Sequence, residues 1–339
     1  MIRIMSSPHV FNTFREAQMG DVFTPPGPAP APTRGLLALD QPDSNLAELF
    51  RAGSVPISTS TAATFRDVVL TTPGLDRAVG GVLVDPVTLH GSGASRTALR
   101  RNRIPIGVRM GDGTRRGHDI AGSVDDLDDE IARHVAAGAS FARWQVVVSG
   151  AGAPTELRAT ARLVAGWSAV CLGRGLVPFV DVVVRPGSRD DLATVGSVHT
   201  AAVSTVLDAV RVTGVDTARI VLGCTLVAPG DRHVATADDI ARATLGSLRG
   251  AAAVPLACVV FTPAGRPDRL TAHLAATTWL NPPWPIGFCL GRSTLVHVAR
   301  TWAGRPDRVA AARSELLGRL GTPTAVGRAA RTEITRRAG

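Results

Sequence analysis

Eight short apolar runs, separated by longer amphipathic or loop-rich segments, restrict what this chain can fold into. They are Leu36–Asp40, Gly81–Asp85, Pro105–Met110, Phe141–Val148, Val177–Val184, Ile220–Val227, Cys258–Thr262 and Ile286–Leu290. Each is β-branched or apolar almost throughout and too short for a core helix, the pattern of parallel strands covered on both faces. Helical periodicity fills the gaps, for example over Asp125–Ala137, Thr155–Arg174, His199–Val212, Ala237–Leu248 and Ser293–Ala303. Gly138, Gly175, Gly214 and Gly250 stand where those helices should stop. Eight such units favour a closed barrel over an open sheet, because closure removes both edges. The dinucleotide fingerprint of open sheets is missing as well. Gly91-Ser92-Gly93 runs into Ala94-Ser95-Arg96 without a third glycine and reads as a surface loop.

The expected fold is therefore α/β, a single-domain (β/α)8 TIM barrel over residues 34–320. An N-terminal arm, residues 1–33, precedes it, and a C-terminal helix or tail, residues 321–339, follows. The arm combines an amphipathic stretch, Val10–Met19, with a Pro-rich stretch, Thr24–Thr33, that can be neither helix nor central strand. A chain of 339 residues with 45% apolar content can bury a core of this kind. No apolar run approaches the roughly 18 to 20 residues that span a bilayer, and the N-terminus lacks the order of a secretory signal. A cytoplasmic protein without a membrane partner is expected.

A formal charge of +9 raises nucleic-acid binding as a function, but the way the charge is carried argues against it. Lysine and tyrosine are both absent, so all 37 basic residues are arginine, in a chain rich in Ala, Gly and Pro, which reads as codon bias. The arginines mix with Asp and Glu, as over Arg115–Arg133, in the manner of solvated helix faces. Nine Phe and five Trp show no alternation with basic residues, so no stacking platform for single strands is expected. Cys171, Cys224, Cys258 and Cys289 lie far apart in apolar stretches and read as reduced, buried thiols. Cys224 and Cys289, near strand ends, are the two placed to act as nucleophiles. The eight histidines form no H-E-x-x-H and no i, i+4 pair, and His134 and His297 fall within helices, so no metal site is expected.

In a parallel barrel, function gathers at the C-terminal ends of the strands. Asp40, Asp85, Arg109, Arg143 with Gln145, Asp181, Thr225 to Ala228, Phe261 with Thr262, and Arg292 stand there. Charges recurring at apolar strand ends point either to a ligand cavity or to an internal network in which Asp40 and Asp181 pair with Arg109 and Arg143.

At this point the residues resemble a known family. Arg34-Gly35-Leu36-Leu37-Ala38-Leu39-Asp40 is similar to the G-I-L-A-A-D-E-S strand of the class I (Schiff-base) fructose-bisphosphate aldolases. Gly80-Gly81-Val82-Leu83 with Thr88-Leu89 is similar to their second strand, and Ile106-Gly107-Val108-Arg109 to the third, where the family has G-I-K. Phe141-Ala142-Arg143-Trp144-Gln145 resembles F-A-K-W-R, and Val177-Pro178-Phe179-Val180-Asp181 resembles V-P-I-V-E-P-E. Phe288-Cys289-Leu290-Gly291-Arg292, with Trp302-Ala303-Gly304 beyond it, resembles F-S-Y-G-R and A-W-G-G. The likeness runs in order from about Thr33 to Gly304.

The resemblance implies a set of roles and marks where this chain departs from them. Asp40 takes the position of the catalytic aspartate, and Asp181 that of a proton-shuttling glutamate. A second glutamate becomes Val183, and the arginine of F-A-K-W-R becomes Gln145. The imine-forming lysine of T-L-L-K-P is replaced, since Thr225-Leu226-Val227-Ala228-Pro229 puts Ala228 there. Two further active-site lysines become Arg109 and Arg143, which keep the charge but remain protonated. Arg292 matches a phosphate-clamping arginine, whereas an S-G-G loop becomes Pro263-Ala264-Gly265, and no C-terminal tyrosine exists. The expectation is an enzyme without cofactor or metal, acting on a polar or anionic carbonyl compound by acid–base catalysis. Asp40, Asp181, Arg109 and Arg143 would be catalytic, with Gln145, Arg292, Gly291, Thr225 and Asp85 contacting substrate. A catalytically inactive binding or scaffolding protein is the other reading, and by family analogy a homo-oligomer is expected.

Overall fold

The structure is a computed structural model that describes residues 35–41, 43–110, 124–149, 154–252, 254–262 and 270–321. The expected N-terminal arm, the tail past residue 321 and Pro263-Ala264-Gly265 lie outside the described residues, as does much of Arg115–Arg133.

The apolar runs form β1 (Leu36–Leu39), β2 (Gly81–Val84), β3 (Ile106–Met110), β4 (Phe141–Ser149), β5 (Val177–Arg185), β6 (Val221–Thr225), β7 (Cys258–Thr262) and β8 (Ile286–Leu290). They pair in parallel and in sequence order, and β1 returns to β8 through Leu36 opposite Cys289 and Leu37 opposite Leu290. This is the expected closed (β/α)8 barrel.

Side chains alternate between two buried faces. Ala38, Leu83, Phe141, Phe179, Val260 and Cys289 belong to a cluster inside the barrel, while Leu37, Val82, Val108, Ala142, Val180 and Leu222 join the core beneath the helices. Two interior phenylalanines occupy space left by glycines on neighbouring strands. A Cβ on Gly107 would come within 2.2 Å of the Phe141 ring, and one on Gly223 within 2.3 Å of the Phe179 ring.

Around the barrel lie α1 (Asp43–Gly53), α2 (Thr59–Leu70), α3 (Leu75–Ala78), α4 (Pro86–His90), α5 (Ala94–Arg101), α6 (Val124–Ala136), α7 (Pro154–Gly173), α8 (Leu192–Val212), α9 (Ala237–Ala251), α10 (Leu270–Trp279) and α11 (Arg292–Trp302). A further helix covers 309–321. Among the described residues no helix is long and apolar enough to cross a membrane.

Most boundaries fall within a residue or two of those read from the sequence, and three differ instructively. The helix expected over His199–Val212 begins at Leu192, where Asp191 caps the Thr194 amide. Its first two turns carry Thr194, Gly196 and Ser197, weak helix formers that hid it. Strand β6 stops at Thr225; Leu226 and Val227 turn into the helix layer, where the Val227 amide donates to Thr244 Oγ1 at 2.9 Å. Gly138, Gly175 and Gly214 do end helices with positive φ, but Gly250 lies inside α9.

Candidate active site

Strands β1, β3, β4 and β5 bring four charged residues together inside the barrel, but not all at strand ends as the sequence suggested. Arg109 is next to last in β3, whereas Arg143 and Asp181 stand third and fifth of nine residues in β4 and β5, which run on past the cluster. Asp40 lies one residue past β1 and is 1% exposed; Asp181 is fully buried on β5. Arg143, from β4, lies between them. Its Nη2 is 3.0 Å from Asp40 Oδ2, and its Nε is 3.8 Å from Asp181 Oδ2. Both contacts are ion pairs without hydrogen-bond alignment, so Asp40 Oδ2 and Arg143 Nε keep unmet hydrogen-bonding capacity.

Register sets the neighbours. Arg109 on β3 is paired with Arg143 on β4, and Gln145 with Asp181 across β4 and β5. The Gln145 amide donates to Asp181 Oδ2 at 3.1 Å, which leaves Oδ1 buried and without a hydrogen-bond partner. Arg109 Nε donates to the backbone carbonyl of Asp40 at 2.7 Å, fixing the residue that carries the carboxylate. Asp181 faces β6 at Gly223, where a Cβ would sit 2.6 Å from Oδ1.

The electrostatics follow from burial. Desolvation raises the Asp181 carboxyl above the usual carboxylate range, opposed by Arg143 and the Gln145 bond and reinforced by Asp40. Burial alone would lower the Arg143 guanidinium, but Asp40 and then Asp181 hold it above its ordinary value. The network alternative read from the sequence is thus present in part: Arg143 pairs with both aspartates, whereas the described bond of Arg109 reaches main chain.

The remaining expected residues fall into other settings. Asp85 accepts from Thr88 N at 3.0 Å and Thr88 Oγ1 at 2.7 Å, capping α4, and pairs with Arg66 Nε at 3.1 Å. Both of its oxygens are therefore engaged in holding α2 and α4. Thr225 Oγ1 accepts from Val184 N at 3.1 Å and donates to Val184 O at 3.3 Å, extending the β5–β6 seam. Arg292, largely exposed at the start of α11, pairs with Glu48 on α1 at 3.0 Å. Gly291 precedes it, and a Cβ there would lie 3.4 Å from Ala38 Cβ. Ala228 packs its methyl group against the helix-layer core.

All four cysteines are free and buried. Cys224 belongs to the helix-layer core, and burial pushes its thiol far up. Cys289 faces the barrel interior near Arg143, Asp40 and Asp181, yet burial drives its thiol to about 12, so it stays protonated.

Several contributors carried no signal in the sequence. Arg66 and Glu48 are helix-face residues whose partners lie far along the chain. Gly223 has an ordinary strand setting until Asp181 is placed beside it. Gln41 follows Asp40, donates to Ala38 O at 3.1 Å, and leaves its own carbonyl oxygen buried without a hydrogen bond.

A closed parallel barrel holds these buried charges in its interior, beside the strand ends where enzymes of this fold carry their chemistry. The family model described as fructose-bisphosphate aldolase class-I matches residues 29–334, and the chain belongs to that family. It is 25% identical over 286 residues to a probable fructose-bisphosphate aldolase class 1 of Xylella fastidiosa, covering 80% of this chain and 86% of that one. It is 27% identical over 307 residues to the cytosolic fructose-bisphosphate aldolase 7 of Arabidopsis thaliana, covering 85% of each. The fold matches that of fructose-bisphosphate aldolase from Plasmodium falciparum, solved in complex with TRAP and a small-molecule inhibitor. The TM-score is 0.83 at 23% identity, over 94% of this chain and 95% of that one.

Proposed function

We propose that this chain is a divergent aldolase-family enzyme that works without an imine, acting on a polar or anionic carbonyl compound by acid–base catalysis. Enolisation, dehydration, or an imine-free addition or cyclisation are the reactions this chemistry covers. The observation that carries the reading is the buried Asp40–Arg143–Asp181 cluster in a chain that contains no lysine. An imine requires a deprotonatable amine, and a guanidinium with a pKa above ~12 does not supply one. What the cluster offers is two carboxylates in unequal surroundings, the arrangement that separates an acid from a base. Asp40, held by Arg143 and by the Arg109 contact to its backbone, serves as proton acceptor, and Asp181 as proton donor. Arg109 and Arg143 supply positive charge for a developing oxyanion.

A second reading, a non-catalytic binding or scaffolding protein, is favoured by the protein partners already held by Asp85, Thr225 and Arg292. One experiment separates the two. The full-length protein is incubated in deuterated water with dihydroxyacetone or dihydroxyacetone phosphate, and loss of the α-hydrogen signal is followed by NMR. Exchange that disappears in Asp40→Asn supports the enzyme. A ligand-induced rise in melting temperature with no exchange supports the binder. Cleavage of fructose bisphosphate at an ordinary aldolase rate, or a borohydride-trapped adduct on the wild type, overturns the imine-free reading.

A further inference from the structure

Four hydrogen-bonding atoms in and beside the Asp40–Arg143–Asp181 cluster are buried without a hydrogen-bond partner: Asp40 Oδ2, Gln41 Oε1, Arg143 Nε and Asp181 Oδ1. Buried polar atoms are nearly always satisfied, and each one that is not calls for a cause. Three of the four belong to a single ion cluster, and Asp40 and Asp181 are 99% and 100% buried by exposed area.

Their arrangement divides into two functions. Gln145 donates to Asp181 Oδ2, so a proton on this carboxyl resides on Oδ1, the oxygen with no partner. Arg143 Nε lies 3.8 Å from the same carboxyl, too far for a direct hydrogen bond, and its N–H is likewise unused. One unused N–H on β4 and one unused carboxyl oxygen on β5 thus belong to the same ion cluster. Asp40, on the other flank of Arg143, keeps an acceptor oxygen.

Resting on the acid–base reading above, we propose that Asp181 Oδ1–H and Arg143 Nε–H form a paired donor site for the oxygen of an enolate or enediolate, with Asp40 as the base that generates it. In the step, Asp40 removes a proton from the carbon next to the substrate carbonyl. The C–H electron pair becomes the C=C bond, and the carbonyl π pair moves onto oxygen, where the two donors hold it. Returning the proton to carbon regenerates both groups, so no oxidant or co-reactant is needed. Complete burial of Asp181 and its upward shift agree with a carboxyl kept neutral as a donor. A preorganised donor pair in a dry site replaces the covalent electron sink that an imine would provide.

The test uses planar enediolate mimics with and without phosphate, glycolohydroxamate and phosphoglycolohydroxamate, against the full-length protein by titration calorimetry. Glycolamide, which cannot form the planar oxyanion, is the control. At least one hydroxamate is expected to bind about 100-fold tighter than glycolamide, the range attributed to donors aimed at an oxyanion. Whether phosphate adds affinity identifies which of the two sources of enediolate the site prefers. Asp181→Asn keeps an N–H donor and is expected to weaken hydroxamate binding less than about 10-fold, while Asp181→Ala costs on the order of 100-fold. Infrared difference spectra of the unmutated fold should carry a protonated carboxyl band that Asp181→Asn removes, a readout independent of any unstable variant. Equal loss in Asp181→Asn and Asp181→Ala, absence of that band, or hydroxamates binding no better than glycolamide overturns the donor pair. If α-hydrogen exchange persists in that case, the acid–base reading stands and only the donor pair falls.

Discussion

Arg143 on β4 reaches across the barrel interior to Asp40, just past the end of β1 three strands away, and holds its carboxylate at 3.0 Å. The same guanidinium also faces Asp181, so one cation separates two buried carboxylates.

Removing that cation should be severe. Arg143→Gln leaves Asp40 and Asp181 without their shared partner, and breaking a buried pair from one side costs about 3–5 kcal/mol. Urea unfolding should show a lower midpoint with little change in slope. Adding Asp40→Asn to Arg143→Gln should recover part of the loss, since the stranded Asp40 charge is then gone. A single-variant cost below about 1 kcal/mol would mean that the cluster is solvated.

Gly223 makes room for the acid. A methyl group there would stand 2.6 Å from Asp181 Oδ1 and 2.3 Å from the Phe179 ring, both fully buried. Gly223→Ala is expected to destabilise by about 1–3 kcal/mol through overpacking and to abolish α-hydrogen exchange by displacing the carboxyl. Exchange at the wild-type rate in this variant would separate Asp181 from the chemistry.

His199 on α8 should set an acid limit to stability. It is buried, bonds Ser247 Oγ through Nδ1 at 2.7 Å, and burial lowers it to about 4, against a smaller upward influence of the Thr225 backbone. Its folded-state pKa is depressed, so the unfolded chain binds the proton more readily. The stabilising contribution is fully present above the ordinary value of 6.5 and is lost as pH falls towards 4. From that shift, roughly 2 kcal/mol should vanish between pH 7 and pH 5. His199→Gln, which keeps a polar group for Ser247, should flatten the profile of melting temperature over that interval; an unchanged slope would assign the acid sensitivity elsewhere.

Ala228 offers a gain-of-function test. The wild type should give no adduct when treated with dihydroxyacetone phosphate and borohydride, because no side chain carries a free amine. On the family resemblance, Ala228→Lys should acquire the mass of the reduced adduct in intact-protein mass spectrometry; no adduct would mean that this position, packed on the helix-layer core, does not face the cluster. Trapping on the wild type would instead indicate the N-terminal amine and contradict the imine-free proposal.

Much of the architecture was legible because strand and helix periods are local properties. The eight apolar runs match the observed strands to within one residue at most ends, and the order of elements alone argued for closure. The error over α8 arose where Thr194, Gly196 and Ser197 weaken propensity and tertiary packing decides. Of the site, the convergence of Asp40, Arg109, Arg143, Gln145 and Asp181 was readable from their inward strand positions, but their depth was not, since Arg143, Gln145 and Asp181 lie mid-strand and not at strand ends. Their partners were not. Asp85 and Thr225 stand at strand ends, yet one caps a helix and the other closes a seam.

The sequence by itself determined the barrel, the set of charges on its inward-facing strand positions, and the absence of any lysine to form an imine. Those follow from residue identity and short-range periodicity. Only the tertiary structure decided which charges meet, that Arg143 rather than Arg109 stands between the two carboxylates, and which polar atoms are left buried without a hydrogen bond. Those relationships depend on strand register and on side chains crossing a closed barrel, distances that no local pattern encodes.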